Sequence, residues 1–331
     1  NMAWDNVNSK YALEGVKDPW EKKKGNRGDI NLILVNLLKD AGLEVYPALV
    51  SERSHGKVEA TLPFIDQFNA VFACVQIKDK KFFLDATDMS TPANIIPNDI
   101  LNTTALIVHR KKGGIVNITN DFLEYVDFSN SLMELDNKGK LSGNLYIKSD
   151  GYSKVGKTAE YNTAGKEKYL DRYYRKEGVT ISDYEMMNLN NDSLPLEQKI
   201  KFEIQLPETG DYLYLPLNIF SGFEKNPFIS DNRFSNINFG YKRRFNVNQT
   251  IKVPEGYSVD ALPKNIKMIT PDKDIVFNRS VEYNKETNSV ICMYYIDFKK
   301  SLYEVDEYEV LKEVYKRMFD FLKEPVVLRK K

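Results

Sequence analysis

The sequence predicts an α+β fold. A buried helix lies on an antiparallel sheet, and an antiparallel β-sandwich with a C-terminal helix follows. Three observations carry this. Residues 25–42 read as a helix marked at both ends and apolar most of the way round, the pattern of a buried central helix. Strand-like runs follow at Leu43–Val50, Gln67–Ile77 and Phe82–Asp85, so the helix has a sheet to pack on. From about Tyr125 the chain alternates in strand fashion. Helical spacing returns only at Ala159–Glu177 and Val305–Leu322.

The first helix is bounded by its caps. Asn26 suits the N-cap, and Asp29, three residues on, completes a capping box. Gly42 follows the last periodic residue and suits a left-handed C-cap. Ile30, Leu32, Ile33, Leu34, Val35, Leu37, Leu38 and Ala41 lie between. The apolar run is shorter than the ~20 residues a bilayer requires.

Composition bounds the rest. The 331 residues suggest two domains. The turn at Lys111-Lys112-Gly113-Gly114 and the change that follows place the boundary between residues 1–118 and 119–331. The 47 basic and 47 acidic residues cancel, which leaves no broad field to attract nucleic acid or anionic membrane. Cys74 and Cys292 fall in separate strand-like runs and read as buried, unpaired thiols. His55 sits in a polar loop and His109 in a strand-like stretch, each without a second ligand nearby. No metal site is therefore expected, and no cofactor. Asp85 and Asp88 alone are weak grounds for a cation.

The order of motifs resembles the transglutaminase-like family, whose core is shared with papain-type cysteine proteases. That family carries Gly-x-Cys at the mouth of the buried helix. A His follows on the next strand, and an aromatic-x-Asp-x-Thr type motif ends the strand after. Here the corresponding residues are Gly25-Asn26-Arg27, Phe68-Asn69-Ala70-Val71 and Phe83-Leu84-Asp85-Ala86-Thr87. The resemblance, over roughly residues 1–110, puts Arg27 in the nucleophile position and Ala70 in the base position, and keeps only Asp85. Family chemistry needs a thiolate activated by the helix dipole and a His oriented by the Asp. Arg27 stays protonated and Ala70 transfers no proton. The resemblance thus implies a pseudoenzyme with no catalytic residue at these positions. Asp29, Asn69 and Asp88 are further candidate cleft residues. Ala70 leaves room where a His ring would lie, so Arg27 is expected to reach Asp85 in a bidentate pair, with Asp29, Asp66 and Asp88 as the other acceptors within reach.

The second half shows a hairpin signature at Leu135 to Leu141, around Asn137-Lys138-Gly139-Lys140. Strands are expected at Gln198–Leu206, Asp211–Leu215, Arg243–Val253 and Ser289–Phe298, as in a sandwich. Tyr212, Tyr214, Phe220, Phe223 and Phe228 cluster in a stretch rich in Gly, Pro and Asn. If exposed together they would form an aromatic surface for sugar rings or a peptide; the alternative is that they are core. Asn226-Pro227-Phe228, Pro254-Glu255-Gly256-Tyr257, Leu262-Pro263 and Val326-Val327-Leu328 resemble the β-rich domain that follows a transglutaminase-like core in uncharacterised multidomain proteins of Gram-negative bacteria. That resemblance implies an upstream β domain, a secretion signal outside this sequence and a periplasmic or envelope location. Two functions follow. One is a non-catalytic module that binds a peptide, glycan or protein. The other is an enzyme of the same superfamily acting on amide bonds.

Overall fold

A computed structural model describes residues 2–331 apart from Pro63, Asp121 and Glu177. The chain divides into two compact units, residues 1–123 and 124–331. The division lies a few residues beyond the boundary read from the sequence. The reason is local: Gly114 opens a strand that hairpins back on its predecessor inside the first unit.

Unit 1 begins with β1 (Ala3–Trp4), α1 (Lys17–Lys22), β2 (Lys24–Gly25) and α2 (Arg27–Asp40). Strands β3 (Glu44–Val50), β4 (Ala70–Ile77), β5 (Lys80–Leu84), β6 (Thr103–Ile107) and β7 (Gly114–Ile118) follow. They form an antiparallel sheet in the order β5-β4-β3-β6-β7. Both ends of α2 match their caps. Asn26 Oδ1 accepts from the Asp29 N–H at 2.9 Å, and Asp29 Oδ2 accepts from the Asn26 N–H at 3.0 Å. At the far end Gly42 takes φ +83°. The N–H groups of Gly42 and Leu43 reach the carbonyls of Lys39 and Leu38, the paired closure that a left-handed residue permits.

The helix is not buried all round. Residues 27–31 are buried, whereas Asn36 and Leu37 are exposed. Only one face of its outer half lies on the sheet, with Val35 against Val45, Ala73 and Val75. Residues 70–75 of β4 are buried on both faces. Ala70, Phe72 and Cys74 face a second cluster with Ile100, Ile107 and Ile118.

Unit 2 opens with β8 (Tyr125–Leu135), β9 (Lys140–Gly151), α3 (Tyr152–Tyr173), β10 (Val179–Met187) and β11 (Leu196–Gln205). Next come β12 (Glu208–Thr209), β13 (Tyr212–Leu215), β14 (Ile237–Asn238), β15 (Arg243–Lys252), β16 (Tyr257–Ala261) and β17 (Ile266–Ile269). The last elements are β18 (Ile275–Asn284), β19 (Ser289–Phe298), β20 (Leu302–Tyr303), α4 (Tyr308–Lys323) and β21 (Val326–Lys330). The main sheet runs β10-β11-β9-β8-β15-β19-β18-β17. It is not wholly antiparallel, because β8 and β15 pair in parallel at its centre. A chain that leaves β8 and returns so late can enter from either direction, and here it enters running the same way.

A smaller sheet, β12-β13-β21-β16, shares one core with this sheet. Leu213, Leu215 and Leu328 meet Leu141, Phe202 and Ile251 there. Helix α4 adds Leu311, Tyr315, Met318 and Leu322 at helical spacing. Helix α3 starts earlier than its spacing suggested and breaks at Gly165, whose φ and ψ of 78° and 167° no helix holds. The expected end at Glu177 lies outside the described residues. The fold class is thus α+β, with strands in the majority. No described helix is long and apolar enough to cross a membrane.

Met318 is fully buried in α4 and Val310, in its first turn, is 53% exposed. Met318→Ala is expected to destabilise unit 2 by about 2–5 kcal/mol. Val310→Ala is expected to change stability by under about 0.5 kcal/mol. Urea unfolding followed by circular dichroism reads both.

Candidate functional site

The ends of β3, β4 and β5 converge at the first turn of α2, and polar side chains collect there. Asn31 in α2 donates to the Val71 carbonyl and to Asp85 Oδ1, both at 2.9 Å, and accepts from the Ala86 N–H at 2.8 Å. It pins the end of β5 to the helix. Asp85 Oδ1 also accepts from Thr87 Oγ1 at 2.6 Å and from the Thr87 N–H at 3.0 Å. The second oxygen is left for a cation.

Arg27 supplies that cation. Its Nε lies 3.4 Å from Asp85 Oδ2, an ion-pair contact without hydrogen-bond geometry. The expected bidentate pair with Asp85 does not form. Nη1 instead donates to Glu52 Oε1, a residue just past the end of β3 that the sequence reading passed over as part of a polar loop. Glu52 is well held: Asn69 Nδ2 and Asn8 Nδ2 donate to its Oε2 at 2.7 and 2.8 Å, and its N–H donates to Asn69 Oδ1 at 2.9 Å. The side chains of Arg27, Glu52 and Asp85 are only 8%, 6% and 4% exposed. Burial explains the double pairing, since a buried guanidinium has to be matched by acceptors. The guanidinium carbon also lies 5.4 Å from the Phe72 ring and 5.5 Å from Trp4.

The remaining cleft candidates have other partners. Ala70 is buried opposite Val50. Asp29 serves the helix cap, and Asp66 pairs with Lys10. Asp88 closes a turn by accepting from the Ser90 N–H at 2.8 Å and Thr91 Oγ1 at 2.5 Å. Asp99 faces the cluster. Its carboxyl is held above its usual range by desolvation and then by Glu52, against Arg27 and Arg53. It stays open enough to water for this to be screened. Cys74 is buried and has no disulfide partner, and burial pushes its thiol up to about 11. His109 Nδ1 accepts from the Lys111 and Lys112 N–H groups. Among the described residues no three His, Cys, Asp or Glu gather to hold a metal.

The five aromatics of unit 2 do not share a surface. Tyr212 and Tyr214 are exposed on β13, alternating with buried Leu213 and Leu215. Phe223 and Phe228 are buried, 4.8 Å from Phe245 and 4.6 Å from Tyr315. Phe220 turns edge-on to Phe202 at 4.8 Å. Strand alternation turns the two Tyr outward on β13, while Phe220 and Phe223 help line a cavity of about 860 Å³ within unit 2.

With this geometry in hand, three comparisons with known proteins bear on the chain. A family described as a domain of unknown function with a solved structure, DUF3858, matches residues 211–328. Curated proteins give no match. The fold is similar to the crystal structure of a "putative protease" from Parabacteroides distasonis ATCC 8503, with a TM-score of 0.54 and 10% identity. That likeness covers 99% of this chain and 49% of the other, so the chain spans about half the length of the protein it resembles. At such low identity the likeness is one of fold.

Two predictions follow from the cluster. Arg27→Met strands two buried carboxylates and is expected to cost about 3–5 kcal/mol. In double-mutant cycles, Arg27 with Glu52→Gln is expected to couple by more than about 1 kcal/mol, and by more than Arg27 with Asp85→Asn. For Cys74, a thiol raised to about 11 is ionised to only about one part in a thousand at pH 8. The folded chain is therefore expected to resist iodoacetamide at Cys74, which reacts once urea unfolds it; mass spectrometry of the modified peptide distinguishes the two.

Proposed function

We propose that this chain is a non-catalytic, transglutaminase-like module of the bacterial envelope that binds a peptide, glycan or protein. The observation that carries the reading is the Arg27–Glu52–Asp85 cluster. A buried cation stands in the first turn of α2, the position to which the family resemblance assigns a nucleophilic thiol. Acyl transfer requires a nucleophile there and a base beside it, and Arg27 and Ala70 supply neither. The fold likeness to the Parabacteroides protein supports descent from such a core. The family match over residues 211–328 agrees with a β-rich domain behind it. The periplasmic location rests on the resemblance of the second half alone.

A second reading, an enzyme acting on amide bonds, is favoured by the name given to the Parabacteroides protein. Cys74 is the thiol closest in sequence to the base position, but it is buried among Phe72, Phe83 and Ile107 and protonated at neutral pH. Incubation with a glutamine-amide donor and with a mixed peptide library is expected to give no product above a blank. Turnover abolished by Cys74→Ser, or by any substitution in the Arg27 cluster that leaves the fold intact, overturns the proposal.

A further inference from the structure

The mouth of α2 is roofed by the chain's own first residues. The Ala3 N–H donates to the Lys23 carbonyl at 2.8 Å, and the Asp5 N–H to the Gly25 carbonyl at 3.1 Å. The Val7 carbonyl accepts from the Arg27 N–H at 3.1 Å. The strap thus lies parallel to residues 23–27, bonded through alternate main-chain groups as an added strand is. Farther on it engages through side chains. Asn8 Nδ2 reaches Glu52 at 2.8 Å. Lys10 Nζ meets the carbonyls of Ile65 and Phe68 and the Asp66 carboxylate at 3.0, 2.8 and 2.9 Å, which matches all three of its protons. The Tyr11 main chain then crosses Gly28 so closely that a Cβ there would stand 2.3 Å from the Tyr11 carbonyl oxygen.

The strap is fastened in an unusual way for a part of the fold. None of residues 2–16 is buried, and Val7, Tyr11 and Leu13 are 52%, 41% and 82% exposed. Among the described residues, none of the strap belongs to the apolar clusters around Val35, Ala70 or Leu49 on the sheet. Core elements are held by apolar burial. This one is held by main-chain bonds, two polar side chains and the half-buried Trp4 ring beside the Arg27 guanidinium, which is how a receptor groove holds an extended peptide. Elements with few buried apolar contacts also open at low free energy.

We infer that the mouth of α2 is a receptor groove for an extended polypeptide strand, and that residues 3–11 are its exchangeable intramolecular occupant. Recognition is by main chain along residues 23–27, by an amide side chain at Glu52, and by a lysine two residues later at the carbonyls of Ile65 and Phe68. This deepens the binding role proposed above by naming the ligand class.

The test uses the full chain with a protease site inserted between Leu13 and Glu14, cut after folding. The cut segment is expected to remain associated in size exclusion. A fluorescent synthetic peptide of residues 2–13 is expected to replace it, read as a saturable rise in anisotropy. A peptide carrying Asn8→Leu and Lys10→Glu is expected to bind at least tenfold more weakly. No uptake of the labelled peptide, equal binding of the altered peptide, or unfolding on loss of the segment each overturns the inference. The assay reads binding without turnover. A chain that exchanges the peptide and also cleaves amides would sink the non-catalytic reading alone.

Discussion

A single buried guanidinium organises the mouth of unit 1. Arg27 lies at the end of α2 where the helix dipole is positive, which disfavours a cation by roughly 0.3–1 kcal/mol. Two carboxylates, Glu52 and Asp85, more than balance its charge. The excess negative charge is itself at home at a helix amino end, where unpaired N–H groups point outward. Cation, carboxylates and helix end therefore form one balanced set. Each member is explained by the others: Asn31 holds Asp85 against the helix, Asn69 and Asn8 hold Glu52 against the loop, and the ends of three strands are tied to one point.

Much of this fold could be read in the sequence because local signals were strong. The capping box and Gly42 delimit α2, the apolar run of β4 marks a strand buried on both faces, and the spacing of Leu311, Val314, Met318 and Leu322 marks α4. Other elements gave weak signals for physical reasons. Strand β10 lies at a sheet edge, and its apolar alternation of Val179, Ile181, Tyr184 and Met186 is interrupted by a register shift between Ile181 and Asp183. Strand β7 is mostly exposed and begins at Gly114, which read as turn. The parallel pairing of β8 with β15 is a long-range property that no local pattern encodes.

The site was legible in half. Motif order singled out Arg27 and Asp85, and the structure brings these two side chains within 3.4 Å of each other. Glu52 was missed because Ser51-Glu52-Arg53 looks like any polar loop. The available signal was its place directly after β3, where a strand leaves the core beside the helix mouth. Asn69 was named as a cleft residue, and its role is to hold Glu52. The aromatic stretch from Tyr212 to Phe228 misled because composition shows how many rings are near in sequence, whereas strand parity and loop direction decide which way they turn.

The register of unit 2 also sets an order of assembly. Tyr125 of β8 pairs with Arg243 of β15, a separation of 243 − 125 = 118 residues. Closing so long a loop is paid in chain entropy before the pairing returns anything, and topologies of this kind fold slowly. The smaller sheet waits longer still, because β21, the last strand, lies between β13 and β16. A nascent chain leaving the ribosome can complete the β8–β9 and β9–β11 ladders early. Until β21 emerges, β13 and β16 lack the strand that joins them, and those open strand edges invite mispairing.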